Sequence, residues 1–130
     1  MGELSGLHHA SLTVSDRDAS ADWYVRVLGF RELFREESED RRASVMTFAT
    51  GGYSVGLVEH RPHRDDGFAP VRIGLDHLAF SVATREELIA WQPRLEQHGV
   101  AHSGVIDIPP GAILNFKDPD GIALALFWDS

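Results

Sequence analysis

An α+β fold of two βαβββ modules is what this sequence predicts, on three observations. A stretch of residues repeats at a fixed offset, the strands of each copy alternate fat and thin side chains, and glycine and proline turns punctuate the rest. Setting Leu7 to Arg26 against Leu75 to Arg94, an offset of 68, matches Leu7 with Leu75, His9 with His77 and Val14 with Val82. It also matches Arg17 with Arg85, Trp23 with Trp91 and Arg26 with Arg94. Six identities in twenty positions exceed the roughly one that random matching supplies. The repeat divides the chain into module one at 1–66 and module two at 72–130, packed as a single domain with pseudo-two-fold symmetry.

Each element follows from local chemistry. Leu7 to Val14 is β-prone and alternating, so it reads as a strand. Ser15 or Asp16 then caps a helix whose segment Ala19 to Leu28 places Ala19, Trp23 and Val27 on one stripe, and Gly29 stops it. Strands are predicted at Phe30 to Phe34, Ala43 to Ala49 and Tyr53 to Glu59, with Gly51-Gly52 as the hairpin turn between the last two. The charge run Arg35 to Arg42 reads as a solvated, unstructured hairpin end. His60 to Pro70, polar and proline-bearing, reads as the linker, and its His60 and His63 as ordinary surface histidines. Module two repeats the plan with a strand at Asp76 to Val82 and a helix at Thr84 to His98, in which Pro93 predicts a kink. Three more strands are expected near His102 to Ile106, Ala112 to Phe116 and Ile122 to Trp128. Pro109-Pro110-Gly111 and Asp118-Pro119-Asp120-Gly121 turn between them.

Composition limits the function. The 130 residues carry a net charge of −8, with eleven arginines and one lysine, Lys117. Such an acidic chain has no electrostatic reason to hold nucleic acid, and no apolar run approaches a membrane span. The N-terminus lacks the basic and apolar regions of a secretory signal. With no cysteine there are no disulfides, thiolate metal sites or cysteine nucleophiles, and a cytoplasmic location is the default expectation.

Period-2 alternation points to where chemistry sits. In the first strand Ala10, Leu12 and Val14 share one face, and His9, Ser11 and Thr13 the other. In its repeat Leu78, Phe80 and Val82 oppose His77, Ala79 and Ser81. In the last strand Ile122, Leu124 and Leu126 oppose Ala123, Ala125 and Phe127. Thin faces leave room for a ligand, and a two-fold relation would bring the two histidines face to face. Paired imidazoles suit zinc, nickel, manganese or iron(II), usually with a carboxylate as third ligand. No phosphate-binding glycine loop, nucleophile elbow or H-E-x-x-H motif is present.

Several segments together carry a resemblance. They are Leu7-His8-His9-Ala10-Ser11-Leu12-Thr13-Val14-Ser15-Asp16, Trp23-Tyr24, Val27-Leu28-Gly29-Phe30, Gly74-Leu75-Asp76-His77-Leu78-Ala79-Phe80 and Asp118-Pro119-Asp120-Gly121. The chain resembles, over nearly its whole length, the vicinal oxygen chelate superfamily. That superfamily includes glyoxalase I, bleomycin-resistance proteins, fosfomycin-resistance enzymes, methylmalonyl-CoA epimerases and extradiol dioxygenases. The resemblance implies paired βαβββ modules forming an incomplete, cupped β-barrel, and a homodimer. It implies metal ligands at His9 and His77. The family's last-strand glutamate falls on Ala125, a departure from the pattern. Its other glutamate position falls on Leu57, and Glu59, two residues on with the same parity, becomes the candidate third ligand and catalytic base. Ser11, Thr13, Leu57, Asn115, Ala125 and Phe127 are the expected pocket residues. Three readings follow as expectations: a mainly structural or regulatory member whose histidines are relics, and two functions of a small-molecule site. One is metal-dependent proton-transfer or lyase chemistry on a small α-carbonyl substrate. The other is metal-free ligand sequestration of the antibiotic-resistance kind, for which Phe48, Phe80, Phe116, Phe127 and Trp128 are the available aromatics.

Overall fold

The computed structural model describes residues 2–64 and 66–130. Met1, at the start of the first predicted module, and Asp65, in the predicted linker, lie outside the described residues. The chain divides into two compact units, Met1–Asp65 and Asp66–Ser130. Unit one contains β1 (His9–Thr13), α1 (Arg17–Leu28), β2 (Arg31–Glu37), β3 (Arg41–Thr47) and β4 (Ser54–His60). Unit two contains β5 (Leu78–Ser81), α2 (Arg85–Gln97), β6 (His102–Ile108), β7 (Gly111–Lys117) and β8 (Ala123–Trp128). Both are βαβββ, as the repeat requires. Each forms an open four-stranded sheet, in the orders β1-β4-β3-β2 and β5-β8-β7-β6. Neither sheet closes on itself. Among the described residues no helix is long and apolar enough to cross a membrane.

The first and last strands of each unit are parallel neighbours, His9 beside Ser54 through Thr13 beside Val58, and Leu78 beside Leu124 through Ser81 beside Phe127. The remaining pairs are antiparallel, with bulges in β2 and β6. Each helix covers the fat face of its own sheet. In unit one Leu12, Val14, Met46, Val55 and Leu57 are buried with Trp23, Tyr24 and Val27 of α1. In unit two Phe80, Leu114, Phe116, Leu124 and Leu126 are buried with Leu88 and Leu95 of α2. Each fully buried aliphatic side chain contributes about 1.5–3 kcal/mol.

The helix ends confirm the capping signals. Asp16 accepts from the Ala19 N–H at 3.1 Å, and Thr84 accepts from the Glu87 N–H at 3.1 Å. Gly29 takes the left-handed conformation that closes α1, at φ 77°. The buried stripe of α1 carries Ser20 and Tyr24 with Trp23 and Val27, whereas Ala19 is exposed. Pro93 sits within α2. It cannot donate to the Ile89 carbonyl, and the Gln92 side-chain amide donates to that oxygen instead, at 3.4 Å.

Two segments differ from expectation. The charge run is not unstructured: β2 continues to Glu37 and β3 begins at Arg41, leaving a tight turn in which the Ser38 N–H donates to the Arg41 carbonyl at 2.8 Å. Its acidic residues on β2 and basic residues on β3 make cross-strand partners, such as Glu36 with Arg41 at 3.3 Å, so the ladder extends to the tip. The linker starts one residue later, because His60 pairs with Arg41 and ends β4. The first strands are shorter than predicted, and His77 stands just before β5.

Gly111 is a packing constraint at the start of β7. A Cβ built there would lie 2.1 Å from the Trp128 carbonyl oxygen and 3.1 Å from the Phe127 ring. Backbone cannot yield as a side-chain tip can. Gly111→Ala should therefore destabilise by about 1–3 kcal/mol in urea unfolding, while Gly2→Ala, with nothing within 4 Å, leaves the midpoint unchanged. An unshifted midpoint for Gly111→Ala would contradict this packing.

Candidate functional site

The face of each sheet away from its helix carries small side chains. In unit one His9, Ser11 and Thr13 lie on it, beside Ser54, Gly56 and Val58 of β4. A Cβ on Gly56 would meet the Ser11 Oγ at 2.5 Å, so the two strands touch there with no side chain to spare. In unit two Ala79 pairs with Ala125, and Ala125 pairs with Asn115, a row of small residues across three strands. Ser81 pairs with Phe127, which pairs with Ile113, on the same face. Asn115 is exposed, Phe127 is half-buried and Ala125 is fully buried.

A histidine heads each thin face. His9 opens β1, and His77 precedes β5 with the parity of Ala79 and Ser81. Both are exposed, and both have Nδ1 occupied by the side chain one residue before. His77 Nδ1 lies 2.7 Å from Asp76 Oδ1. His9 Nδ1 lies 2.8 Å from His8 Nδ1, with the two rings edge-to-face. Among the described residues no protein partner is found at Nε2 of either ring. Each imidazole, taken by itself, has the form in which a divalent ion takes histidine, one ring nitrogen hydrogen-bonded and the other without a protein partner among the described residues. A carboxylate is missing at Ala125. Among the described residues no three His, Asp or Glu side chains gather as a metal-holding group.

Glu59 does not stand with His9. It pairs with Arg42 on the helix-covered side of the sheet, and Leu57, fully buried, lies on that same side against Leu12. Neither faces Ser11 and Thr13. Instead Glu59 Oε1 accepts the Arg17 backbone N–H at 2.8 Å, and Oε2 accepts from Arg61 Nε at 3.3 Å. The Arg17 amide belongs to the first turn of α1, where unsatisfied N–H groups attract a carboxylate. That bond, with Arg61 and Arg42 nearby, holds the Glu59 carboxyl below its ordinary range despite the opposing effect of burial.

Arg17, wholly buried, sits at the centre of this cluster. Its guanidinium donates to Asp18 at 2.9 Å, to Glu37 at 2.9 Å and to the Ala43 carbonyl at 3.2 Å. Arg42 donates to Asp18 at 2.6 Å; that bond and Arg17 lower the Asp18 carboxyl, and the Asp18 carboxylate raises Arg42. Unit two repeats part of this: Arg85, also first in its helix, donates to Asp107 at 2.9 Å. The sequence signal for the cluster was the Arg17–Arg85 identity in the repeat. Of the remaining candidates, Phe80 and Phe116 are buried on the helix side, and His63 contacts the His60 carbonyl at 3.0 Å.

The sequence model of the Glyoxalase/Bleomycin resistance protein/Dioxygenase superfamily matches residues 6–126. A crystal structure of a glyoxylase/bleomycin resistance protein/dioxygenase domain from Frankia sp. EAN1pec superposes with a TM-score of 0.91 at 38% identity, covering 98% of this chain and 100% of that one. Catechol-2,3-dioxygenase of Bacillus subtilis (strain 168) is 30% identical over 129 residues, 98% of this chain and 42% of that protein. The chain thus spans about two fifths of the length of the dioxygenases it matches. The fosfomycin resistance protein FosX of Listeria monocytogenes, solved with Mn(II) and sulfate, shares the fold. Its TM-score is 0.74 at 20% identity, covering 98% of this chain and 95% of that one.

The Glu59 contacts predict an acid limb. A carboxyl lowered in the folded state stabilises above its unfolded value, near 4.5, and that stability is lost as pH falls through the folded value. Glu59→Gln should cost about 1–2 kcal/mol at pH 7 and flatten the loss of stability below about pH 4.5. Unfolding curves from pH 7 to pH 3 check it, and equal slopes for the two proteins would contradict it.

Proposed function

Because the chain belongs to the Glyoxalase/Bleomycin resistance protein/Dioxygenase superfamily, we propose that it is a divalent-metal-dependent enzyme acting on a small α-carbonyl molecule by proton transfer or lyase chemistry. The observation that carries this is the repeated arrangement of His9 and His77. Each heads a thin sheet face with Nδ1 occupied and Nε2 open. These two imidazoles are the proposed ligands for zinc, nickel, manganese or iron(II), with water or substrate oxygen supplying the rest. A bound divalent ion would polarise a carbonyl and acidify the adjacent C–H.

The chain's own residues define the other parts. Ser11, Thr13 and Asn115 offer hydroxyl and amide groups to substrate oxygens, and Phe127 offers apolar surface, with Ala125 buried beside it on the same strand face. Glu59 is taken up by the start of α1, so it is not offered as base or ligand. Ring cleavage by a non-haem iron centre relies on two histidines and a carboxylate. Ala125 removes that carboxylate, which disfavours the chemistry named for the dioxygenase relatives, and with Glu59 engaged elsewhere solvent water would take the proton that leaves the substrate. The same alanine supports a second reading, a metal-free protein that sequesters a small ligand. A homodimer in the cytoplasm completes the proposal.

The test is elemental analysis of tag-free protein beside a His9→Ala/His77→Ala double variant. Near-stoichiometric divalent metal in the parent, absent from the double variant, supports the proposal. No uptake after loading with zinc, nickel, manganese or iron(II) overturns it in favour of the second reading. Ala125→Glu should restore the usual donor charge. Because binding to the folded state stabilises it by mass action, nickel should raise the melting temperature of Ala125→Glu more than that of the parent. Equal shifts would contradict the proposed ligand set. Glu59→Gln should bind nickel as the parent does.

A further inference from the structure

The residue before each histidine is also related by the repeat: His8 stands where Asp76 stands in the second copy, at the same offset of 68. Both hold Nδ1 of the histidine that follows, at 2.8 Å and 2.7 Å. Their chemistry differs. A carboxylate only accepts, so Asp76 requires the proton of the neutral His77 ring to sit on Nδ1 and leaves the lone pair on Nε2. An imidazole either donates or accepts, so His8 leaves both tautomers of His9 open.

We propose that Asp76 is a positioning residue that presets the Nε2 lone pair of His77, making His77 the pre-organised member of the ligand pair, while His8 leaves His9 to be set only when an ion binds. This rests on the proposed metal-binding role of the two histidines. A hydrogen-bonded carboxylate behind an imidazole fixes ring orientation and raises its basicity as a donor, and losing it costs about 10–100-fold in metal affinity. Asp76 is exposed, which places the effect at the lower end, about tenfold.

Two measurements test this on the whole chain. Long-range nitrogen–proton NMR correlations on the metal-free protein read the tautomer of each ring directly. His77 should be in the Nδ1–H form in the parent and in Asp76→Asn, whose amide oxygen still accepts, and should shift toward Nε2–H in Asp76→Ala. His9 should show a mixture. Nickel titration calorimetry should give about a tenfold loss for Asp76→Ala, recovery of most of it in Asp76→Asn, and a change under about threefold for His8→Ala. An unchanged His77 tautomer in Asp76→Ala overturns the inference, as does nickel affinity equal to the parent's. If the parent binds no nickel, the metal-binding proposal fails, and the tautomer of His77 alone decides whether Asp76 presets the ring.

Discussion

In each unit the first strand lies parallel to the last, and the rest of the architecture follows from that pairing. Parallel neighbours cannot be joined by a tight turn, so the chain must leave the sheet and return. It does so through one helix and a three-strand meander, which puts β1 beside β4 and β5 beside β8. The helix settles on one face and buries the fat side chains there. The opposite face carries serine, glycine and alanine together with Val58, Ile113 and Phe127, and the histidine at or just before the start of each first strand belongs to that side. Helix cover, thin face and histidine placement are thus consequences of one strand pairing, made twice.

The covered side of unit one is not purely apolar. Arg17 is buried in it, and a buried guanidinium is tolerated only when its donors are satisfied. Asp18, Glu37 and the Ala43 carbonyl satisfy it, and Glu59 takes the backbone N–H of the same residue. This ties the start of α1 to β2, β3 and β4 together. Unit two keeps only the Arg85 to Asp107 pair and places Ala112 and Trp128 where unit one has Arg42 and Glu59. The same helix position is therefore anchored by charge in one unit and largely by packing in the other. That division explains why a glutamate so near the candidate site in sequence takes no part in it.

On the open side, the departure at Ala125 shapes the chemistry. Ala79, Ala125 and Asn115 lie in one cross-strand row. A carboxylate in that row would add a charged donor; alanine there leaves a buried methyl and a neighbouring amide. In the proposed site the remaining donors would be imidazoles, whose usefulness depends on which ring nitrogen carries the proton. Tautomer control by the preceding residue would then matter more than in a site where a carboxylate supplies the charge.

The repeat, the strand alternation and the capping residues were legible in the sequence because they are local, and so was the division into fat and thin faces. Asp16 and Gly29 act within one turn of where they stand, and period 2 assigns His9, Ser11 and Thr13 to one side without knowledge of any partner. Four features required tertiary structure. The charge run at 35–42 became paired strand because its partners lie across a hairpin. The sequence places Pro93 within its helix, and only the structure shows the Gln92 side-chain amide donating to the Ile89 carbonyl that Pro93 cannot serve. Parity placed Glu59 with Leu57 correctly, but which side of β4 they face was fixed by its pairing with β1 and β3, and that side is the helix's. The partners of Arg17 come from α1, β2 and β3, segments far apart in the chain, so a buried ionic cluster is invisible to any reading of neighbours in sequence.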